Sequence, residues 1–121
     1  ASYLDHLRRL YDAPSGARWS QRAAFIGLLE RARHGDRHVA VVLFPLVEDF
    51  DDHPLAEVHA LLRATCAQAG VPCFDLHDVL RHEPAESLQT SALDHHLNEK
   101  GCALAARAVA RFVAEAGFAA R

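Results

Sequence analysis

The sequence has 121 residues, half of them apolar and 24% charged, with 13 Lys and Arg against 16 Asp and Glu for a formal charge of −3. That length suits one compact domain with a true core, and the balance is that of a folded globular chain rather than a disordered or fibrous one. Net acidity with scattered arginines excludes the basic stripe of a nucleic-acid-binding domain. The longest apolar run, Val39 to Val47, is broken by Pro45 and falls well short of the ~20 residues of a membrane span.

In chain order, Tyr3, Leu4, Leu7, Leu10 and Tyr11 have helical spacing and predict a short amphipathic helix, which Pro14-Ser15-Gly16 breaks. No charged-then-apolar leader is read at the start. Ser20 is the expected N-cap of a second helix, with Phe25, Leu28, Leu29 and Ala32 on one face, His34 in its last turn and Gly35 just past its end. The period then changes. His38 to Phe44 is a β-branched, nearly continuous apolar run, the pattern of a strand covered on both faces. Glu48-Asp-Phe-Asp-Asp52 follows as an acidic loop. Pro54 is expected to open a third helix at its first position, with Leu55, Val58, Leu62, Cys66 and Ala69 buried and Gly70 as its stop.

Val71 to Leu76 predicts a second, shorter strand. A polar stretch containing Pro84 and one helical turn leads to Leu93-Asp-His-His-Leu-Asn98. Asn98 is the expected cap of a last helix whose stripe is Ala105, Ala108, Val109, Phe112 and Val113, closed by Gly117. Strands alternating with helices mean parallel β-α-β units with helices on both faces. Two parallel strands make a poor sheet alone, since such sheets need several neighbours. Residues 1–121 are therefore expected to be either a single domain that completes its sheet by oligomerising or the C-terminal portion of a larger one.

The densest polar cluster is Asp94-His95-His96-Leu97-Asn98, after the second strand and before the last helix, where open α/β sheets place their ligand sites. Asp94 and His96 are two apart, so an extended backbone puts both side chains on one side. A carboxylate there holds one imidazole nitrogen while the other faces a substrate, which is the base half of a nucleophile–His–Asp triad. The three cysteines, Cys66, Cys73 and Cys102, form no C-x-x-C pair and are expected as small packing residues rather than as a disulfide scaffold or zinc site. Free thiols make a cytoplasmic, reducing setting the default expectation.

From about residue 20 onward the chain resembles the C-terminal part of the SGNH (GDSL-type) hydrolase family. The carrying residues are the strand ending Val41-Val-Leu-Phe-Pro45, the helix with Val58-His59 and Leu62, and the block Gly70-Val-Pro-Cys-Phe-Asp75-Leu76. Leu93-Asp-His-His-Leu-Asn-Glu-Lys-Gly101 follows, leading into Ala105-Ala106. Asp94, His96, Asn98 and Gly101 fall on the family's final block without gaps. The resemblance implies an α/β chain in a flavodoxin-like three-layer α/β/α fold with a parallel sheet whose N-terminal strands this chain does not carry. It implies hydrolysis of a small-molecule acyl ester, on carbohydrate or a small lipid-like group, by a serine nucleophile. His96 would be the general base and then acid, Asp94 its orienting partner, with no cofactor and no metal.

The departures are Leu97 where the family commonly has Pro, which is expected to loosen the loop slightly, and Cys102 where His is common. More seriously, no Gly-Asp-Ser motif, glycine block or Gly-x-Asn segment is present, and Ser2, Ser15, Ser20, Ser87 and Ser91 occupy no nucleophile motif. The sequence thus carries a base without a nucleophile, and the family's N-terminal half or a homo-oligomer is the expected partner. Two rival readings stand beside this one. The nine histidines raise a metal site, but the spacings 53/59 and 77/82 do not put two imidazoles on one helical face. The other is a non-catalytic α/β binding module that self-associates to complete its sheet.

Overall fold

The computed structural model describes residue 5 and residues 17–118. The opening helix expected over Tyr3 to Tyr11 lies, Asp5 apart, outside the described residues. The order is α1 (Ala17–Ala32), β1 (Val41–Leu43), α2 (Ala56–Gln68), β2 (Cys73–Asp75), α3 (His77–Leu80), a 3₁₀ turn (Ala85–Leu88) and α4 (Glu99–Glu115). The described chain is therefore an α/β arrangement around a small parallel sheet, with Val41 opposite Cys73, Val42 opposite Phe74 and Leu43 opposite Asp75.

Because successive side chains on a strand point to opposite faces, this register sorts the core into two clusters. Val42 and Phe74 face Leu76, Leu80, Leu88 and Ala105, with Leu104, Ala108 and Val109 of α4 packed against them. Phe74 stacks on Phe112 at 5.1 Å. Val41 and Cys73 face the other way, onto Leu29 and Phe25 of α1, Cys66 of α2 and Ala69 just past its end. Helices thus cover both faces of the sheet. No helix among the described residues is long and apolar enough to cross a membrane.

Several boundaries differ from expectation. The strand predicted over His38 to Phe44 shrinks to Val41–Leu43, and Phe44 is exposed. A strand adopts its full length only where a neighbour pairs it, and β1 pairs with three residues of β2 alone. Helix α1 begins at Ala17, which puts Ser20 in its first turn rather than at its cap, and Leu28 is exposed while Leu29 is buried. Helix α2 begins at Ala56 with Leu55 at the N-cap position, so Pro54 precedes the helix instead of opening it. Cys66 is buried as expected, but Cys102 is exposed rather than packed. Gly35, Gly70 and Gly117 follow their helices with φ between 68° and 81°, a left-handed turn that glycine adopts without a Cβ clash.

Candidate functional site

The loop that carries Asp94 and His96 is fastened at its base. Gln89 and Leu97 form an antiparallel bridge, flanked by Thr90 N–H donating to His96 O at 2.9 Å and Asn98 N–H donating to Leu88 O at 2.8 Å. Asn98 does more than cap α4. Its Oδ1 accepts the Gly101 N–H at 2.9 Å, while its Nδ2 donates to Ser87 O at 2.9 Å and to Gln89 O at 3.0 Å. One side chain therefore joins the helix end to both strands of the loop's stem. Gly101 is required by close approach: a Cβ there would lie 2.7 Å from Leu97 Cδ2 and 3.2 Å from Leu88 O. Leu97 packs against the core beneath the loop.

Within the loop, Ser91 Oγ accepts the N–H groups of Leu93 and Asp94 at 3.2 and 3.0 Å, which turns the chain and sets the Asp94 backbone. Asp94 Oδ1 then accepts the His96 N–H at 3.1 Å and lies 2.5 Å from His96 Nδ1. The side-chain bond, followed by the backbone one, holds the Asp94 carboxyl below its ordinary value of 3.8. With Nδ1–H committed to the carboxylate, the neutral ring presents its Nε2 lone pair outward. The His96 side chain is 91% exposed and that of Asp94 49%. Neither Ser87 nor Ser91 is hydrogen-bonded to Nε2. Ser87 donates to Pro84 O at 2.7 Å and Ser91 is the acceptor just described.

The acidic loop lies against this one. His95 Nδ1 is 3.7 Å from Glu48 Oε2, and Gln89 Nε2 donates to Val47 O at 2.6 Å. Between the acidic loop and the segment after α3 lies an open cleft of about 600 Å³, edged by Glu48, Asp51, Arg81, Glu83 and Glu86. His95 thus lies beside the acidic loop, with its Nε2 3.1 Å from Ala92 O.

No family model, curated protein or solved structure matches the chain.

A second His–Asp pair was not anticipated from the sequence. His59 Nδ1–H donates to Asp75 Oδ2 at 2.8 Å, with the two side chains only 7% and 2% exposed. Arg63 approaches the same oxygen at 3.5 Å, and Asp75 Oδ1 accepts the His77 N–H at 3.0 Å. Burial excludes it from solution chemistry. Among the described residues no group of three or more His, Cys, Asp or Glu is arranged to hold a metal. The signal was present: Asp75 ends an apolar strand and His59 adjoins Val58 on the buried face of α2, and buried polar groups must find partners. Burial pushes the Cys66 thiol up and the Cys73 thiol up to about 12, which disfavours the thiolate at both.

Proposed function

We propose that this chain is the Asp–His portion of an SGNH-type ester hydrolase, with a flavodoxin-like three-layer α/β/α fold completed by further parallel strands. The observation that carries the reading is the Asp94–His96 hydrogen bond. It sits on a tightly based loop between β2 and the N-terminus of α4, with Nε2 facing outward. The small sheet supports it as well, because its strands are covered on both faces yet have a single hydrogen-bonded neighbour each among the described residues. A buried strand pair of that kind suits the interior of a wider parallel sheet.

In this reading a serine Oγ supplied by the completing polypeptide attacks the acyl carbonyl while His96 Nε2 takes its proton. Asp94 fixes the tautomer and stabilises the imidazolium. The tetrahedral adduct collapses as His96 returns that proton to the departing alcohol, leaving an acyl-enzyme. Water, deprotonated by His96 in turn, releases the acid and restores the serine. The substrate class is an acyl ester on a carbohydrate or a small lipid-like group, with no cofactor or metal.

The deciding experiment is labelling of the natively purified protein with a fluorophosphonate, read by intact mass. Label on a longer polypeptide or a co-purifying piece supports the reading. An unlabelled 121-residue species that assembles through its sheet edges removes it. That outcome favours the second reading, a self-associating binding module, to which the open edges of the two-strand sheet also point.

A further inference from the structure

The segment before α2 is closed by imidazoles. His53 Nδ1 accepts the N–H of Leu55, the N-cap residue of α2, at 3.2 Å, and the His53 carbonyl accepts the Ala56 N–H at 3.1 Å. A ring nitrogen that accepts is unprotonated, so the neutral ring keeps its proton on Nε2. That atom is buried and has no hydrogen-bond partner. The ring lies 4.5 Å, centroid to centroid, from both His59 and His77. His77 in turn donates its Nε2–H to Phe50 O at 2.8 Å. The stretch from Phe50 to Leu55 is thus pinned at each end to one histidine cluster. Just ahead of it Asp49 has φ 35°, a conformation that L residues adopt at a cost, and its Oδ1 accepts the Asp52 N–H at 3.1 Å.

A second proton on His53 is opposed from every side. It would enter at Nδ1, turning the contact with the Leu55 N–H into two donors facing each other. The resulting cation would stand at the positive end of α2. The charged and titratable groups around it are His59 and Arg63 from α2 and Asp75 and His77 from the β2–α3 junction. Asp75 alone favours the cation, and it already serves His59, Arg63 and the His77 N–H. Burial acts first, and His59 and His77 next, to lower the His53 pKa to about 4.

We propose that the His53–His59–His77 cluster is an acid-sensitive latch, which frees residues 49–55 on protonation of His53 while the rest of the chain stays folded. The neighbouring Glu48 edges the cleft and faces His95, so release alters one wall of that cleft. The proposal stands independently of any hydrolase activity.

The direction follows from linkage. A released His53 binds its proton at the ordinary value of 6.5 and the latched one at about 4, so latching is strongest above 6.5 and weakens as pH falls between them. Amide hydrogen exchange on the chain, corrected for intrinsic rates, tests it. The hydrogen-bonded amides of Asp52, Leu55 and Ala56 should exchange at least about tenfold faster at the acid end of that window, with α4 still protected. His53→Asn keeps a side-chain acceptor for the helix start but does not titrate, and should abolish the acid component. Unchanged protection of those amides, equal loss across α4, or the same acid release in H53N overturns the proposal. If H53N does not fold, an imidazole ¹⁵N titration of the unmodified chain decides. Ring protonation in step with release of 50–55 sustains the latch, and protonation near 6.5 without release removes it.

Discussion

Asp94–His96 and Asp75–His59 are the same two side chains joined at Nδ1, over 2.5 and 2.8 Å, yet the first pair stands in solvent and the second inside the core. Surroundings, not the bond, decide what each can do. In the open pair water competes for both partners, so the bond adds little to the fold, and Nε2 can exchange a proton with an incoming molecule. In the buried pair the carboxylate has no water to fall back on. Asp75 answers with three donors, from His59, Arg63 and the His77 backbone, and ties α2 to the sheet at the cost of any chemistry. One pair is open to solvent and the other is locked into the core.

The sharpest way to break this contrast is to exchange the roles by mutation. Under the proposed function, His96→Ala in the completed hydrolase should lower kcat by ~10³-fold or more and leave the urea midpoint where it was. A variant that keeps near-full turnover removes His96 from the mechanism. His95→Ala should be mild, since its contacts are to Glu48 and a loop carbonyl; if it proves the more severe of the two, the assignment is off by one residue. Asp75→Ala should do the reverse. It strands the His59 Nδ1–H and the His77 N–H in the core and should cost about 2–4 kcal/mol in urea unfolding. A change below about 1 kcal/mol would mean that water reaches that site after all.

The two regions also differed in how plainly the sequence announced them. Asn98 and Gly101 were legible because a cap and a close-packed helical glycine are local requirements, met within a few residues. Asp94 and His96 were legible for the same reason, being two apart in one loop. The buried pair joins residues 16 apart in different elements, so its members look like a lone histidine and a lone aspartate until the fold brings them together. His53 was harder still. The 53/59 spacing argued against a shared helical face, and the structure agrees, for His53 precedes α2 and reaches His59 by folding back across its start. Strand lengths were overestimated because apolar composition marks where a strand could run, whereas pairing sets where it does. The helix boundaries at Ser20 and Pro54 slipped by a few residues, as termini do when a cap competes with tertiary contacts.

A smaller test concerns what holds the Asp94–His96 loop in place. Gly101→Ala gains helix propensity but pushes a methyl against Leu97 Cδ2 and the Leu88 carbonyl. Leucine can turn aside and a backbone carbonyl cannot, so a net loss of about 1–2 kcal/mol is expected. The Asp94–His96 bond should loosen with it, visible as a rise of the Asp94 carboxyl toward 3.8. Loss of stability with an unmoved carboxyl would show that the stem and the loop tip are independent.

Acid separates the two regions with the least perturbation. The Asp94 carboxyl is held below its ordinary value by the His96 side chain and N–H, so the contribution of that bond is full above 3.8 and fades only as pH falls further, through the folded value. His53 loses its contribution in the same direction but at higher pH: its pKa is depressed too, and its contribution is lost on descending from 6.5 toward about 4, before Asp94 begins to protonate. A ¹³C carboxyl titration of Asp94 recorded alongside amide exchange of Asp52, Leu55 and Ala56 should therefore show two events, the segment first and the carboxylate second. If the two moved together, the Glu48–His95 contact would be strong enough to couple the loops. The half-exposed, 3.7 Å geometry of that contact argues against this.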